Sequence, residues 1–95
     1  MLHILKCIYL SEYKLELTFD NNTTGIADLK DLPESGSVFE ALQDIKIFRN
    51  IKLEHGGVTT WLDGQLDIAP EYLFFLANNT KPEYNSLFKE WGYMA

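Results

Sequence analysis

Three acidic residues close together in the second half of the chain are the first candidates for chemistry: Asp63, Asp67 and Glu71. Two carboxyl groups can act as general acid and general base when their surroundings raise the pKa of one of them. The same residues also suit structural roles. Asp63 precedes a glycine, as turn residues do, and Asp67 and Glu71 flank a predicted helix start, where negative charge is favourable. We therefore interpret them as structural residues or as part of an interaction surface.

No other pattern indicates catalysis. The chain has no Ser-His-Asp arrangement, no glycine loop that cradles phosphate and no dinucleotide fingerprint. We expect a protein that is not an enzyme, and an enzyme with an unrecognised acidic site stays the alternative.

Two sets of residues in the sequence include side chains of the types that bind metal ions. The run DNNTTGIADLKD, from Asp20 to Asp31, has the oxygen ligands, the glycine and the final acid of a calcium loop. Its flanks should then be helices, yet the residues before it alternate as a strand, and Ala27 stands where a larger aliphatic side chain is expected. His3, Cys7 and His55 lack the close spacing of a structural zinc site. We predict a hairpin turn at the first place, no metal at either, and no cofactor.

An aromatic series near the C-terminus allows two interpretations. Tyr84, Phe88 and Trp91 recur at helical spacing. Such a face can anchor a partner protein, or it can pack into the core, which is the commoner outcome. We treat Tyr84, Phe88 and Trp91, together with the three acidic residues, as the candidate interaction surface.

Composition limits the function classes. The chain has 95 residues, a net charge of -6 and a pI near 4.7, which argues against direct binding of nucleic acid and favours a basic protein partner. A single cysteine excludes an internal disulfide, and no apolar run approaches the ~20 residues that span a bilayer. We expect one cytoplasmic domain, 1–95, that does not enter a membrane.

The first third of the chain predicts an antiparallel meander. Leu2–Leu10 alternates imperfectly, as a strand with both faces partly covered does. The alternation predicts two sets of side chains on opposite faces: Leu2, Ile4, Ile8 and Leu10 against His3, Leu5, Cys7 and Tyr9. Lys14–Phe19 alternates strictly, as a strand with one wet face does, and Thr24–Leu29 resembles a third strand. Turn residues separate these strands at Ser11-Glu12 and at Asp20–Asn22.

The middle of the chain predicts short elements. Ser37 can cap a helix from Val38 to Gln43, with Glu40 completing a capping box. A turn over Asp44–Asn50 should then carry three apolar side chains inward: Ile45, Ile47 and Phe48. Ile51–His55 reads as the next strand.

The second half predicts a hairpin followed by two helices. Gly56-Gly57 is a hairpin turn that leads into the strand Val58–Trp61, in which we expect Trp61 to be buried. Asp67 is in the position of an N-cap or N-prime residue for an apolar helix that starts near Pro70 and ends at Asn78-Asn79. A last helix should start near Pro82 and stop at Gly92. The predicted fold class is α+β, with an antiparallel sheet of about five strands, meander plus hairpin, packed with two or three helices.

A recognisable pattern of residues runs through the chain: Tyr13, Leu15, Leu17, Phe19, Asp20, Asn21, Val38, Phe39, Leu42, Phe48, Gly57, Trp61, Gly64, the run Asp67–Glu71 and Leu73. In this pattern the chain resembles the small bacterial family catalogued as domain of unknown function 2442. The resemblance covers roughly Leu2–Ala77, as a family-like core of residues 1–77, and leaves 78–95 as a helical extension. It implies a compact α+β domain from a prokaryote with no established activity. Some relatives lie beside a second small protein, in arrangements like toxin and antitoxin pairs.

Three function classes follow. The first is a protein-interaction module, antitoxin-like, whose partner is basic and encoded nearby. The second is a transcription-associated regulator that acts through a complex, and the third is the enzyme named above. The Leu2–Leu10 strand has no proline and one charge, Lys6, so it is the expected exposed sheet edge, open to a partner strand or to a second copy in a homodimer.

Overall fold

The computed structural model describes residues 1–95, and its first sheet is the predicted meander. The strands β1 (Ile4–Ser11), β2 (Lys14–Phe19) and β3 (Thr24–Asp28) pair antiparallel in the order β1-β2-β3. The α+β class and the meander are therefore confirmed.

The central strand of this sheet has the predicted dry and wet faces. Leu15, Leu17 and Phe19 of β2 are fully buried, whereas the residues between them are partly exposed. Leucine and phenylalanine at every second position of a strand project to one side of the sheet, and burial of that side stabilises the strand.

The remaining strands form a second sheet, so the prediction of a single sheet of about five strands is wrong. The strands β4 (Lys52–Glu54), β5 (Val58–Trp61) and β6 (Leu66–Ile68) pair antiparallel in the order β4-β5-β6. The hairpin through Gly56-Gly57 is confirmed, and β6 is a sixth strand that the sequence analysis missed.

The two sheets meet at the hairpin turn rather than along a strand. The N–H of Ile4 donates to the carbonyl of Gly57 at 2.8 Å, and no ladder continues from there. A Cβ on Gly57 would lie 2.6 Å from the Cβ of His3, and its φ of +81° also favours glycine. The contact therefore depends on the missing side chain of Gly57.

The missed strand β6 also corrects the role of Asp67. Asp67 lies in β6, where it is exposed and pairs with Thr60 of β5. Its neighbours Leu66 and Ile68 turn toward the core. Three residues that alternate apolar, polar, apolar suit a short strand. Asp67 is therefore neither the N-cap nor the N-prime residue of the next helix.

The helix α2 (Pro70–Asn78) begins at the predicted proline. Its N-cap is Ala69, which is extended (ψ 134°) and provides no side-chain cap. A residue before proline avoids the helical region, so the chain stays extended up to Ala69.

The predicted helix over Val38–Gln43 is only a 3-10 turn, Glu40–Gln43, without a capping box. Ser37 Oγ accepts a hydrogen bond from the N–H of Phe39 at 3.2 Å and donates to the carbonyl of Glu34 at 2.7 Å. The hydroxyl thus closes a local turn, which competes with its use as a helix cap.

The following turn winds into one turn of helix, α1 (Ile45–Phe48). Asp44 caps it, because its side chain accepts the N–H of Lys46 at 2.9 Å. Phe48 is fully buried and the two isoleucines are half-buried, so the predicted inward direction of these side chains holds.

The C-terminal segment folds back onto α2. A 3-10 turn at Pro82–Tyr84 leads into α3 (Asn85–Glu90), and the chain leaves the helix at Gly92, with φ +85°. None of the helices combines the length and the apolar character needed to cross a bilayer.

The apolar helix α2 is covered on two sides, as its composition predicted. Phe74 meets Phe19 of the first sheet at a ring distance of 5.1 Å, and Phe75 meets Phe88 of α3, also at 5.1 Å. Both contacts are edge-to-face, the arrangement that aromatic quadrupoles favour.

Trp61 lies at the centre of the core, and its predicted burial is confirmed. It is 1% exposed, and its indole N–H donates to the carbonyl of Phe48 at 2.9 Å. The two rings lie 5.7 Å apart. The indole thus joins β5 to the segment that connects the sheets.

Replacing Trp61 with alanine should destabilise the fold by about 3–5 kcal/mol, because the change leaves a large cavity and removes one of the two hydrogen bonds that the Phe48 carbonyl accepts, the other coming from the N–H of Ile51. Urea unfolding measures the loss, with Trp91→Ala as the matched control. Trp91 is only half-buried and should cost less. A Trp61→Ala midpoint equal to that of wild type would contradict the assignment of Trp61 to the core.

Two neighbouring threonines in β5 should respond in opposite ways to substitution by valine. Thr59 Oγ1 is buried without a hydrogen-bond partner, whereas Thr60 Oγ1 donates to Glu54 Oε1 at 2.9 Å. Thr59→Val should therefore raise the free energy of unfolding by about 1 kcal/mol, since it removes an unsatisfied hydroxyl. Thr60→Val should lower it. Equal losses in the two variants would show that a buried water satisfies Thr59.

Candidate functional site

Strand β1 lies at an edge of the first sheet, and most of its outer side is unpaired. Within the sheet it pairs only with β2. Ile4 donates one backbone hydrogen bond outside the sheet, to Gly57. The backbone groups of residues 5–11 make no hydrogen bond outside the sheet. The C-terminal segment does not cap this edge, because its aromatic residues pack on α2.

The direction of the ladder shows which groups of β1 face outward. The N–H of Phe19 bonds to Thr23, and the carbonyl of Tyr13 accepts from Leu29, so the odd-numbered residues of β2 bond toward β3. The even-numbered residues then bond toward β1, where their partners are Lys6 and Ile8. The backbone N–H and carbonyl groups of Cys7 and Tyr9 therefore point away from the sheet.

A register shift changes the faces of β1 from those predicted. The pairing skips one residue between Ile4 and Lys6, so Ile4 is buried while Ile8 and Leu10 are exposed. A bulge turns the side chains that follow it to the opposite face. Leu5, within the bulge, is 59% exposed. We call the outward edge of β1 with Leu5, Ile8 and Leu10 the β1 surface.

The open face of the sheet carries one more exposed apolar residue. Ile8 lies opposite Glu16, and Glu16 lies opposite Ile26 of β3, which is 53% exposed. The sequence analysis did not single out Ile26. Its neighbours Gly25 and Ala27 are small and sit on the side covered by α2, where Gly25 approaches Ala77, and that pattern is the signal that could have identified it.

The three acidic candidates have separate environments. Asp63 forms an exposed ion pair with Lys52 at 3.6 Å, Asp67 points to solvent from β6, and Glu71 accepts the N–H of Leu2 at 3.1 Å. Asp63 and Glu71 therefore make local structural contacts, and Asp67 makes none. Nothing in their positions gives two of them a shared buried site.

The aromatic candidates divide between core and surface. Phe88 is fully buried and packs on Phe75, so it serves the core. Tyr84 and Trp91 are half-buried, with rings 5.0 and 6.1 Å from Phe74. Their exposed parts remain candidate contact surface.

The calcium-like run folds as a turn and a strand. Asn21 Oδ1 accepts from the N–H and the hydroxyl of Thr23, and Asp28 Oδ1 accepts the N–H of Lys30. The side-chain oxygens that a calcium loop would use as ligands thus shape the local backbone here, as in Asx turns. No group of three His, Cys, Asp or Glu side chains is arranged to hold a metal ion.

His3 and Cys7 have separate electrostatic environments. His3 Nδ1 donates to Asp20 Oδ2 at 2.9 Å, and this hydrogen bond lowers the pKa of the Asp20 carboxyl. Burial raises the pKa of the Cys7 thiol to about 11, so at neutral pH it is protonated and a poor nucleophile. This state gives Cys7 no chemistry of its own.

The pattern of residues that the structure places in both sheets and α2 matches one family model over residues 4–79, described as "Protein of unknown function (DUF2442)". The chain belongs to the DUF2442 family. The DUF2442 match covers the two sheets and α2 and stops before α3, so the C-terminal segment lies outside it. No curated protein and no solved structure matches the chain.

The pair His3 and Asp20 predicts a pH dependence of stability. A carboxyl group whose pKa is lowered by folding stabilises the fold above its unfolded pKa, and the contribution is lost as the pH falls through the folded value. Wild type should therefore lose stability in acid more steeply than Asp20→Asn, and should be the more stable of the two near neutral pH. Chemical denaturation between neutral pH and about pH 2 measures the difference.

The control is Asp67→Asn, which removes an exposed carboxylate that makes no hydrogen bond. Its curve should run parallel to that of wild type. If the Asp20→Asn curve were also parallel, the bond to His3 would contribute nothing.

Proposed function

We propose that this chain is a non-catalytic protein-interaction module that accepts a strand of a partner protein along β1. The observation that carries the proposal is the unpaired outer edge of β1 with three exposed aliphatic side chains beside it. Edge strands recruit further strands unless charge, proline or irregular geometry blocks them.

The geometry of β1 limits the partner to a short strand. Register shifts lie between Ile4 and Lys6 and between Tyr9 and Ser11, so the regular stretch is Lys6–Tyr9. Within it the outward groups of Cys7 and Tyr9 can bond to an added strand. Ile8 and Leu10 can then contact apolar side chains of that strand on the open face.

The charge of the chain supports a partner of opposite sign. A net charge of -6 attracts a basic protein and opposes pairing of two copies. A basic protein encoded nearby, in an antitoxin-like arrangement, fits this requirement best. A cytoplasmic location fits a chain whose one cysteine, Cys7, is free and forms no internal disulfide.

Two substitutions on β1 should abolish capture of the partner. Cys7→Pro removes an outward N–H that makes no bond in the sheet, a position that proline tolerates on an edge strand. Ile8→Lys leaves the backbone intact and adds a charge to the exposed face. Affinity capture from the native host, followed by mass spectrometry, should recover a basic protein with wild type and not with either variant.

The matched control is Ile26→Lys, which adds the same charge to the same face, two strands away, and should retain the partner. Circular dichroism shows that each variant folds, and light scattering across a concentration series shows whether wild type self-associates. Identical capture by all folded variants would refute a site on β1. Concentration-dependent dimers lost in Ile8→Lys would assign the edge to a second copy instead.

A further inference from the structure

A cavity of about 560 Å³ opens between the α1 segment and the turn that joins β5 to β6. Its apolar walls are Ile47, Ile51 and Leu62, and its charged groups are Arg49, Lys52 and Asp63. It shares no residue with the β1 surface. Its volume falls within the usual range of small-molecule sites.

The cavity is positive although the chain as a whole is negative. Lys52 pairs with Asp63 at 3.6 Å, which leaves the guanidinium of Arg49 without an ion pair. Arg49 is the chain's single arginine. A guanidinium presents paired N–H donors that match the two oxygens of a carboxylate.

The rim of the cavity contains a strained and exposed leucine. Leu62 has φ +53° and Asp63 has φ +54°, and Leu62 is 40% exposed. The left-handed region costs an ordinary residue roughly 1–2 kcal/mol, and asparagine or glycine normally occupies it. Strained backbone of this kind clusters at active sites and ligand sites.

We propose that this cavity binds a small aliphatic carboxylate, with the carboxylate on Arg49 and the hydrocarbon chain against Ile47, Ile51 and Leu62. The ligand carries one negative charge and a flexible apolar chain, which matches one free cation beside three aliphatic side chains. This site goes beyond the proposed interaction with a partner protein and does not depend on it.

The test is a titration of the full chain with butanoate, hexanoate and octanoate, in which NMR amide chemical shifts report the binding. Saturable shifts should centre on Ile51 and Leu62. Affinity should rise with chain length, by up to about fourfold for each methylene group that is buried. Hexanol and hexylamine, which lack the carboxylate, should bind more weakly than hexanoate.

Two variants test the two halves of the site. Arg49→Gln should weaken octanoate binding about five- to tenfold, whereas Lys89→Gln, the same charge change on an exposed residue of α3, should leave it unchanged. Leu62→Asn should keep the stability of the fold or raise it, since asparagine tolerates the left-handed region, and should still weaken binding.

Three outcomes would overturn the proposal. Shifts that do not saturate, hexanol that binds as tightly as hexanoate, or equal affinities of Arg49→Gln and Lys89→Gln would each exclude a carboxylate site. A Leu62→Asn variant that loses stability and keeps its affinity would show that Leu62 serves folding alone.

Discussion

The contact between Trp61 and Phe48 holds together two sheets that share no strand ladder. The indole N–H donates to the carbonyl of Phe48, and the ring of Phe48 also packs against the ring of Tyr13, 4.7 Å away, in the turn between β1 and β2 of the first sheet. Phe48 is therefore a bridge between the sheets. The Tyr13 hydroxyl donates to the carbonyls of Leu42 and Gln43, so the same region is tied by hydrogen bonds as well. Because the sheets meet through these side chains and through one backbone bond, from Ile4 to Gly57, the backbone edge of β1 beyond Ile4 remains open.

The one-sided covering of the first sheet explains where the exposed apolar residues lie. Helix α2 packs on β3 through the close approach of Gly25 and Ala77, and Phe74 covers Phe19. No further helix or strand covers the opposite face of this sheet, where Ile8 and Ile26 are exposed. Aliphatic side chains left on that face are exposed near an unpaired edge, which is the combination that protein partners use.

The C-terminal segment adds to the hydrophobic core, although it lies outside the part of the chain that matches the family. The DUF2442 match ends one residue after α2, while Phe88 of α3 is fully buried against Phe75. This segment covers the side of α2 that turns away from the sheet. An α2 with apolar residues nearly all round is consistent with that cover, since exposure of Phe75 to water would be unfavourable.

The sequence by itself determined the elements whose signals are local. Strict alternation defined β2, paired glycines defined the β4-β5 turn, Pro70 marked the start of α2, and the motif around Trp61 identified the family. It also showed that Trp61 would be buried, because a large apolar ring in a small domain has few other places to go. Tertiary structure decided what depends on register and on distant contacts. A bulge of one residue exchanged the faces of β1, and a strand of three residues replaced the predicted cap at Asp67. Packing of the hairpin turn against β1 accompanies the division of one predicted sheet into two. The register of the β4-β5 pairing brought Arg49 and Leu62, thirteen positions apart, to one cavity. Such features follow from pairings between distant residues, and local periodicity carries no information about them.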